Sequence, residues 1–184
     1  ISSKIDINRF YNTHNEYEIL NDLIDLSKPD KSIPTIFIWP EGMLTSTNLK
    51  DIHYYKDLFQ LNFSNKHIII LGINDVKKDS NLKIYNSLAI VDNNLNVLNY
   101  YHKNKLVPFG EFLPMENFLR RIGLKTITNN YQSFSKGRER KIINIKNQNF
   151  DLSFLPLICY EIIYSGKLKK TNNFDFIINI SEDG

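Results

Sequence analysis

Cysteine is nearly missing from these 184 residues, and Cys159 stands alone. No disulfide can form within the chain, so its stability must come from an apolar core, which one domain of this length is able to bury. A lone cysteine leaves three readings: a buried apolar filler, a reactive thiol, or a half-site for another chain. Histidine is also scarce. His14, His53, His67 and His102 show no short metal-binding spacing, which argues against zinc, and nothing else calls for a cofactor. The longest apolar runs, residues 36–39 and 68–73, are strand-sized and far below the ~20 residues of a membrane-spanning helix. There is no secretory signal, internal repeat or low-complexity tract. The net charge is only +3, and the basic residues form no stripe with spaced aromatics, which argues against nucleic acid as a partner.

What remains is ordinary for a globular protein, 42% hydrophobic and 23% charged, so bulk disorder is excluded. Tyr17, Leu20, Leu23, Ile24 and Leu26 recur at helical spacing within residues 10–26. Thr13 or Asn15 is the expected cap of that helix, and Pro29 lies just beyond it. Residues 35–39 read as a buried strand stopped by Pro40. Residues 48–63 read as a second helix, with Leu49, Ile52, Tyr55, Phe59 and Phe63 on one side. Residues 67–74 read as another strand. Residues 84–91 and 95–101 flank Asp92-Asn93-Asn94 and predict a hairpin. A long connection, residues 108–132, is rich in aromatics. A strand pair follows at 141–145 and 152–158, and a last strand at 174–180. The mixture predicts an α/β or α+β layered fold, with residues 1–184 as one domain. The chain opens at Ile1 rather than methionine and stops soon after a strand-like run, so it reads as a piece of a longer protein.

Three segments each place a reactive side chain at the end of a strand-like run: Trp39-Pro40-Glu41, His102-Lys103-Asn104, and Ile158-Cys159-Tyr160-Glu161. Sites in open sheets gather at strand ends. A thiol is a nucleophile only as thiolate, a carboxylate can take its proton, and a fixed ammonium can stabilise the oxyanion formed on attack at a carbonyl. Each residue also has a plainer reading: Glu41 as a loop carboxylate, Lys103 as an exposed lysine, Glu111 and Glu161 as helix-start charges, His102 as a surface or edge-strand residue. From the residue types alone, a thiol enzyme is one possibility among these.

The same segments, with Lys103-Asn104-Lys105-Leu106-Val107-Pro108-Phe109-Gly110-Glu111, resemble the carbon–nitrogen hydrolase (nitrilase) superfamily. The Leu-Val-Pro-Phe-Gly-Glu continuation is similar to its apolipoprotein N-acyltransferase branch. The resemblance covers most of the chain and implies an α-β-β-α sandwich, here without its opening strand, its closing portion or the flanking transmembrane helices. It implies a Glu41–Lys103–Cys159 triad, with Glu41 as general base and Cys159 as nucleophile. Glu111 would support the lysine and the oxyanion, while Tyr160 and Glu161 would shape the pocket and position the thiol. The implied reaction is a ping-pong transfer of a phospholipid acyl chain, through a Cys159 thioester, to the amine of a diacylglyceryl-cysteine apolipoprotein. The implied place is the inner membrane of a Gram-negative-type cell, with this domain on the periplasmic side. Phe112, Phe118 and Leu119, with basic residues interleaved after them, suit an arm lying in the membrane interface. Glu182 departs from the family pattern, which more often has Asn there. The alternatives are a soluble amidase or nitrilase using the same triad, and a non-catalytic truncated remnant.

Overall fold

The computed structural model describes residues 16–78, 81–112, 133–167 and 173–182. Thr13 and Asn15, the expected caps, lie outside them. Helix α1 (Glu16–Ser27) buries Leu20, Leu23 and Ile24 as their spacing predicts, while Tyr17 and Leu26 stay exposed. It ends where Lys28 takes a left-handed φ of 45° and donates to the Ile24 carbonyl at 3.0 Å, just before Pro29.

Strand β1 (Thr35–Ile38) lies parallel to β3 (His67–Lys78). The helix expected over 48–63 is corrected. Its start belongs to β2 (Leu44–Asn48), which also pairs with β3, and a 3-10 turn (Ile52–Tyr55) precedes a short α2 (Lys56–Asn62). The reason is capture of polar groups by partners outside the expected helix. The Glu16 carboxylate, buried from α1, accepts from the amides of Ser46 at 2.6 Å and Thr47 at 3.2 Å. The Asn48 side-chain amide donates to Asp51. The Leu49 amide then donates to the Asn74 carbonyl of β3 at 2.8 Å, so the start of the expected helix stays with the sheet.

Strand β3 runs four residues beyond its expected end and forms a hairpin with β4 (Leu82–Val91) that periodicity did not reveal. The predicted hairpin from β4 to β5 (Val97–His102) is present. Its turn is built by Asp92, whose carboxylate accepts from the amides of Asn94 and Asn96 at 2.8 and 2.9 Å, with Leu95 buried at φ 60°. The first sheet has the order β1-β3-β4-β5 with β2 also on β3. The second holds β6 (Ile143–Lys146), β7 (Asp151–Ile158) and β8 (Phe176–Ile180) in that order.

Two apolar layers follow from strand alternation. Leu71, Ile73, Ala89 and Val91 face α1 and α2, where Trp39, Phe59 and Phe63 pack edge-on or tilted. Ile70, Leu88, Ile90 and Tyr101 face the other way, against Ile145, Phe154, Ile158 and Ile178 of the second sheet. Helices, sheet and sheet therefore stack as three layers of a nitrilase-like α/β sandwich. Among the described residues no helix is long and apolar enough to cross a membrane.

Candidate active site

The C-terminal ends of β1, β5 and β7 deliver the three reactive residues to one place. Pro40 stops β1, and Glu41 follows in a turn completed by Gly42 at φ 68°. This turn lies directly on β3. Gly72 donates to the Pro40 carbonyl at 3.2 Å, and a Cβ on Gly72 would stand 2.6 Å from the Glu41 Cα. Only glycine lets the two backbones approach this closely.

Lys103 follows β5 and is 1% exposed, so the exposed-lysine reading is overturned. Its Nζ lies 2.8 Å from Glu111 Oε1 and 3.5 Å from Glu41 Oε1. Burial alone would depress its pKa, but the charges of Glu41 and Glu111 outweigh that, and the ammonium is held above its ordinary value. Glu111 comes back to the site through a tight turn in which its amide donates to the Val107 carbonyl and its Oε2 accepts from the Val107 amide, both at 2.9 Å. Phe109, at the tip, has φ 64° and is exposed.

Cys159 sits where β7 breaks into a 3-10 turn (Cys159–Lys167), with φ 53°. A left-handed conformation at a non-glycine residue costs on the order of 1–3 kcal/mol and marks a position that the surrounding structure imposes. The thiol is half-buried, with the Glu41 carboxylate, the Lys103 ammonium and the Tyr160 amide as the groups that act on it. Burial, and then the negative charge of Glu41, push its pKa up. Lys103 pulls it down without prevailing. The resting group is therefore the neutral thiol, and attack requires a base beside it.

The remaining expected residues take distinct places. Tyr160 turns its side chain into solvent, 58% exposed, and only its amide faces the thiol. Glu161 is fully buried, and its hydrogen bonds go to other groups than the thiol. Its Oε1 accepts from Tyr101 Oη at 2.8 Å and from the amides of Asn104 and Lys105 at 3.0 and 2.9 Å, with Arg140 at 3.5 Å; its Oε2 accepts from the Ile158 amide at 3.0 Å. It ties the lysine loop to the strand end that carries Cys159. Phe112 is half-buried, and its carbonyl accepts from the Phe109 amide at 2.8 Å. Phe118 and Leu119 lie outside the described residues. Among the described residues no cluster of metal-binding side chains occurs.

Asn86 is a site residue that sequence reasoning missed. Its Nδ2 donates to Glu41 Oε1 at 2.6 Å and Glu111 Oε1 at 3.1 Å, so one amide and one ammonium together hold both carboxylates. The available signal was an amide beside the apolar run of residues 88–91, a residue type that is rarely buried without a partner. Gly137 is a second omission. It donates to the Lys103 carbonyl at 2.9 Å, and a Cβ there would collide with the His102 carbonyl at 2.2 Å.

Residues 35–184 match the carbon-nitrogen hydrolase family. An apolipoprotein N-acyltransferase of Rickettsia prowazekii is 33% identical over 166 residues, 89% of this chain and 32% of the relative. One from Bradyrhizobium diazoefficiens is 30% identical over 155 residues, 82% of this chain and 28% of the relative. The chain thus spans about a third of the length of the curated relatives it matches. Among solved structures, a glutamine-dependent NAD+ synthetase from Acinetobacter baumannii superposes with a TM-score of 0.58 at 19% identity, over 92% of this chain and 30% of that one. A CN-hydrolase superfamily protein from Xanthomonas campestris superposes at 0.54 and 13%, over 90% of this chain and 58% of that one. These likenesses are of fold.

Proposed function

The chain belongs to the carbon–nitrogen hydrolase family, and from that premise we propose that its thiol carries an acyl group from a phospholipid to the amine of an apolipoprotein. The observation that carries the reading is the convergence of Glu41, Lys103 and Cys159, with the Lys103 ammonium 3.5 Å from Glu41 and both charges acting on a thiol whose pKa is raised. The relatives named as apolipoprotein N-acyltransferases support the choice of donor and acceptor.

In the first half-reaction Glu41 takes the thiol proton as Cys159 Sγ attacks the ester carbonyl. Lys103 Nζ donates to the oxyanion, and collapse expels the lysophospholipid alkoxide, which takes the proton from Glu41. A thioester remains on Cys159. In the second half the acceptor's neutral amine attacks that thioester and Glu41 takes the amine proton. The thiolate leaves and is reprotonated, and the product is an amide. Glu111 and Asn86 hold Lys103 and Glu41 in place throughout, with Glu161 fastening the loop behind them. On this reading the parent protein works at the inner membrane with the site on the periplasmic side. The segment from Phe112 through Phe118 and Leu119 reaches the lipid, and exposed Phe109 supports an apolar approach from that side.

The test is the intact mass of the full chain after incubation with phosphatidylethanolamine, beside Cys159→Ala. A gain of one acyl chain, sensitive to hydroxylamine and absent from the variant, is expected. Adding a diacylglyceryl-cysteine peptide should discharge it as an N-acyl peptide. Discharge to water alone would make the protein a hydrolase, and a folded chain that never acylates would make it a remnant.

A further inference from the structure

A second cleft lies outside the triad. Among the described residues strand β5 is an edge of the first sheet, and residues of the 133–142 strap line a cleft together with it. The Ser135 amide donates to the Ile84 carbonyl at 2.7 Å, and Gly137 is fastened to Lys103 as described above. Between this strap and the sheet is a cavity of about 710 Å³. Lys77 and Lys83 line it from the β3–β4 hairpin, and Lys136, Arg138 and Lys141 line it from the strap, against one carboxylate, Glu139.

Its floor is aromatic and stiff. The rings of Tyr85 and His102 stack at 4.2 Å and 9°, Tyr100 tilts against His102 at 4.8 Å, and Asp75 holds the His102 Nε2 at 2.9 Å. Burial, reinforced by the charges of Lys77 and Arg138, keeps the imidazole below its ordinary pKa despite Asp75. Lys77 is paired with Asp75 at 3.4 Å. Among the described residues Lys83, Lys136, Arg138 and Lys141 have no carboxylate partner within ion-pair distance. Cations from two separate segments thus converge on one opening and repel one another. A ligand of high negative charge relieves that repulsion, and Lys and Arg are the side chains that recognise phosphate.

We propose that this cleft binds a phosphate-bearing anion, its charged group held by Lys83, Lys136 and Arg138 beside Lys77, whose ammonium stands over the Tyr85 and Tyr100 rings at 6.0 and 5.1 Å. The site is separate from the thiol chemistry and does not depend on it, because Lys103 turns its side chain to Glu41 and Glu111 instead. The anion has two possible sources, an anionic phospholipid headgroup or a free phosphate compound.

The full chain should be tested by calorimetry with inorganic pyrophosphate, and by flotation with phosphatidylcholine vesicles with and without phosphatidylglycerol. The wild-type chain is expected to bind at least one anionic probe. Lys83→Gln, Lys136→Gln and Arg138→Gln combined should weaken binding roughly a hundredfold, about fivefold for each charge removed. Lys83→Arg, Lys136→Arg and Arg138→Lys combined should keep it. Thioester formation, read in parallel, should be unchanged in both. Binding of pyrophosphate alone assigns a free anion, and binding of charged vesicles alone assigns a headgroup. The proposal falls if neither probe binds, if the Gln variant binds as the wild type does, or if the charge-conserving variant loses as much as the Gln variant.

Discussion

Glu41 and Glu161 both stand just past the end of a strand, and their partners set them apart. Glu161 is saturated: three backbone amides, a tyrosine hydroxyl and a guanidinium surround its two oxygens. All of those donors converge on its two oxygens, so the group acts as a fastener between the lysine loop and the end of β7. Glu41 accepts from one side-chain amide at 2.6 Å, has an ammonium at 3.5 Å, and faces the thiol. Glu111 lies between the two extremes, with its Oε1 given to Lys103 and Asn86 and its Oε2 to the Val107 amide. A buried carboxylate serves as a base only where its donors leave an oxygen available, and the count of donors ranks these three.

The sharpest way to break that contrast is to neutralise each carboxylate in turn. Glu41→Gln should lower acyl transfer by about 10²–10⁴, the usual worth of a positioned base, with the fold intact in a denaturant melt. If turnover persisted, Glu41 would not be the base. Glu161→Gln should instead cost about 3–5 kcal/mol of stability in the same melt, because amides and Arg140 would lose their buried anion. An unchanged melt would mean that Glu161 is not the fastener. Asn86→Ala comes next. It removes a donor shared by Glu41 and Glu111, worth about 1–3 kcal/mol, and should slow acylation roughly tenfold or more without altering which product forms.

The smallest effect is the most diagnostic. The Cys159 pKa is raised above the ordinary thiol value of 9.0, so alkylation by iodoacetamide should be slow at neutral pH and climb only above pH 9. Glu41→Gln removes a negative neighbour that raises this pKa. Its alkylation midpoint should move down while its turnover is lost. The two opposite responses separate base from bystander. Lys103 is raised above 10.5, so any stability it gives is complete below that pH and lost as pH climbs past its folded value. It should not contribute to the alkylation profile near pH 9.

Much of this was legible from the residues. Leu20, Leu23 and Ile24 recur at helical spacing, and strand-like runs end at Pro40, Lys103 and Cys159, so those elements and the three reactive residues could be named. Other parts were hidden because their cause is long-range. β2 exists because Glu16, some thirty positions earlier, takes the amides of Ser46 and Thr47. The β3–β4 hairpin is polar along its outer half, where Asp75, Lys77 and Lys83 carry no apolar period to read. Asn86 looked like a break in a strand until two carboxylates met it.

The sequence by itself determined which chemistry is available and most of the elements, β2 and the β3–β4 hairpin excepted, because periodicity, turn residues and reactive side chains are local properties. Only the tertiary structure decided that Glu41 keeps a spare oxygen while Glu161 keeps none, that Lys103 is buried between two carboxylates, and that Cys159 is held at a left-handed turn with burial and Glu41 pushing its pKa up. Those states depend on which donors and charges meet across strands far apart in the chain, and on how much water the packing leaves between them.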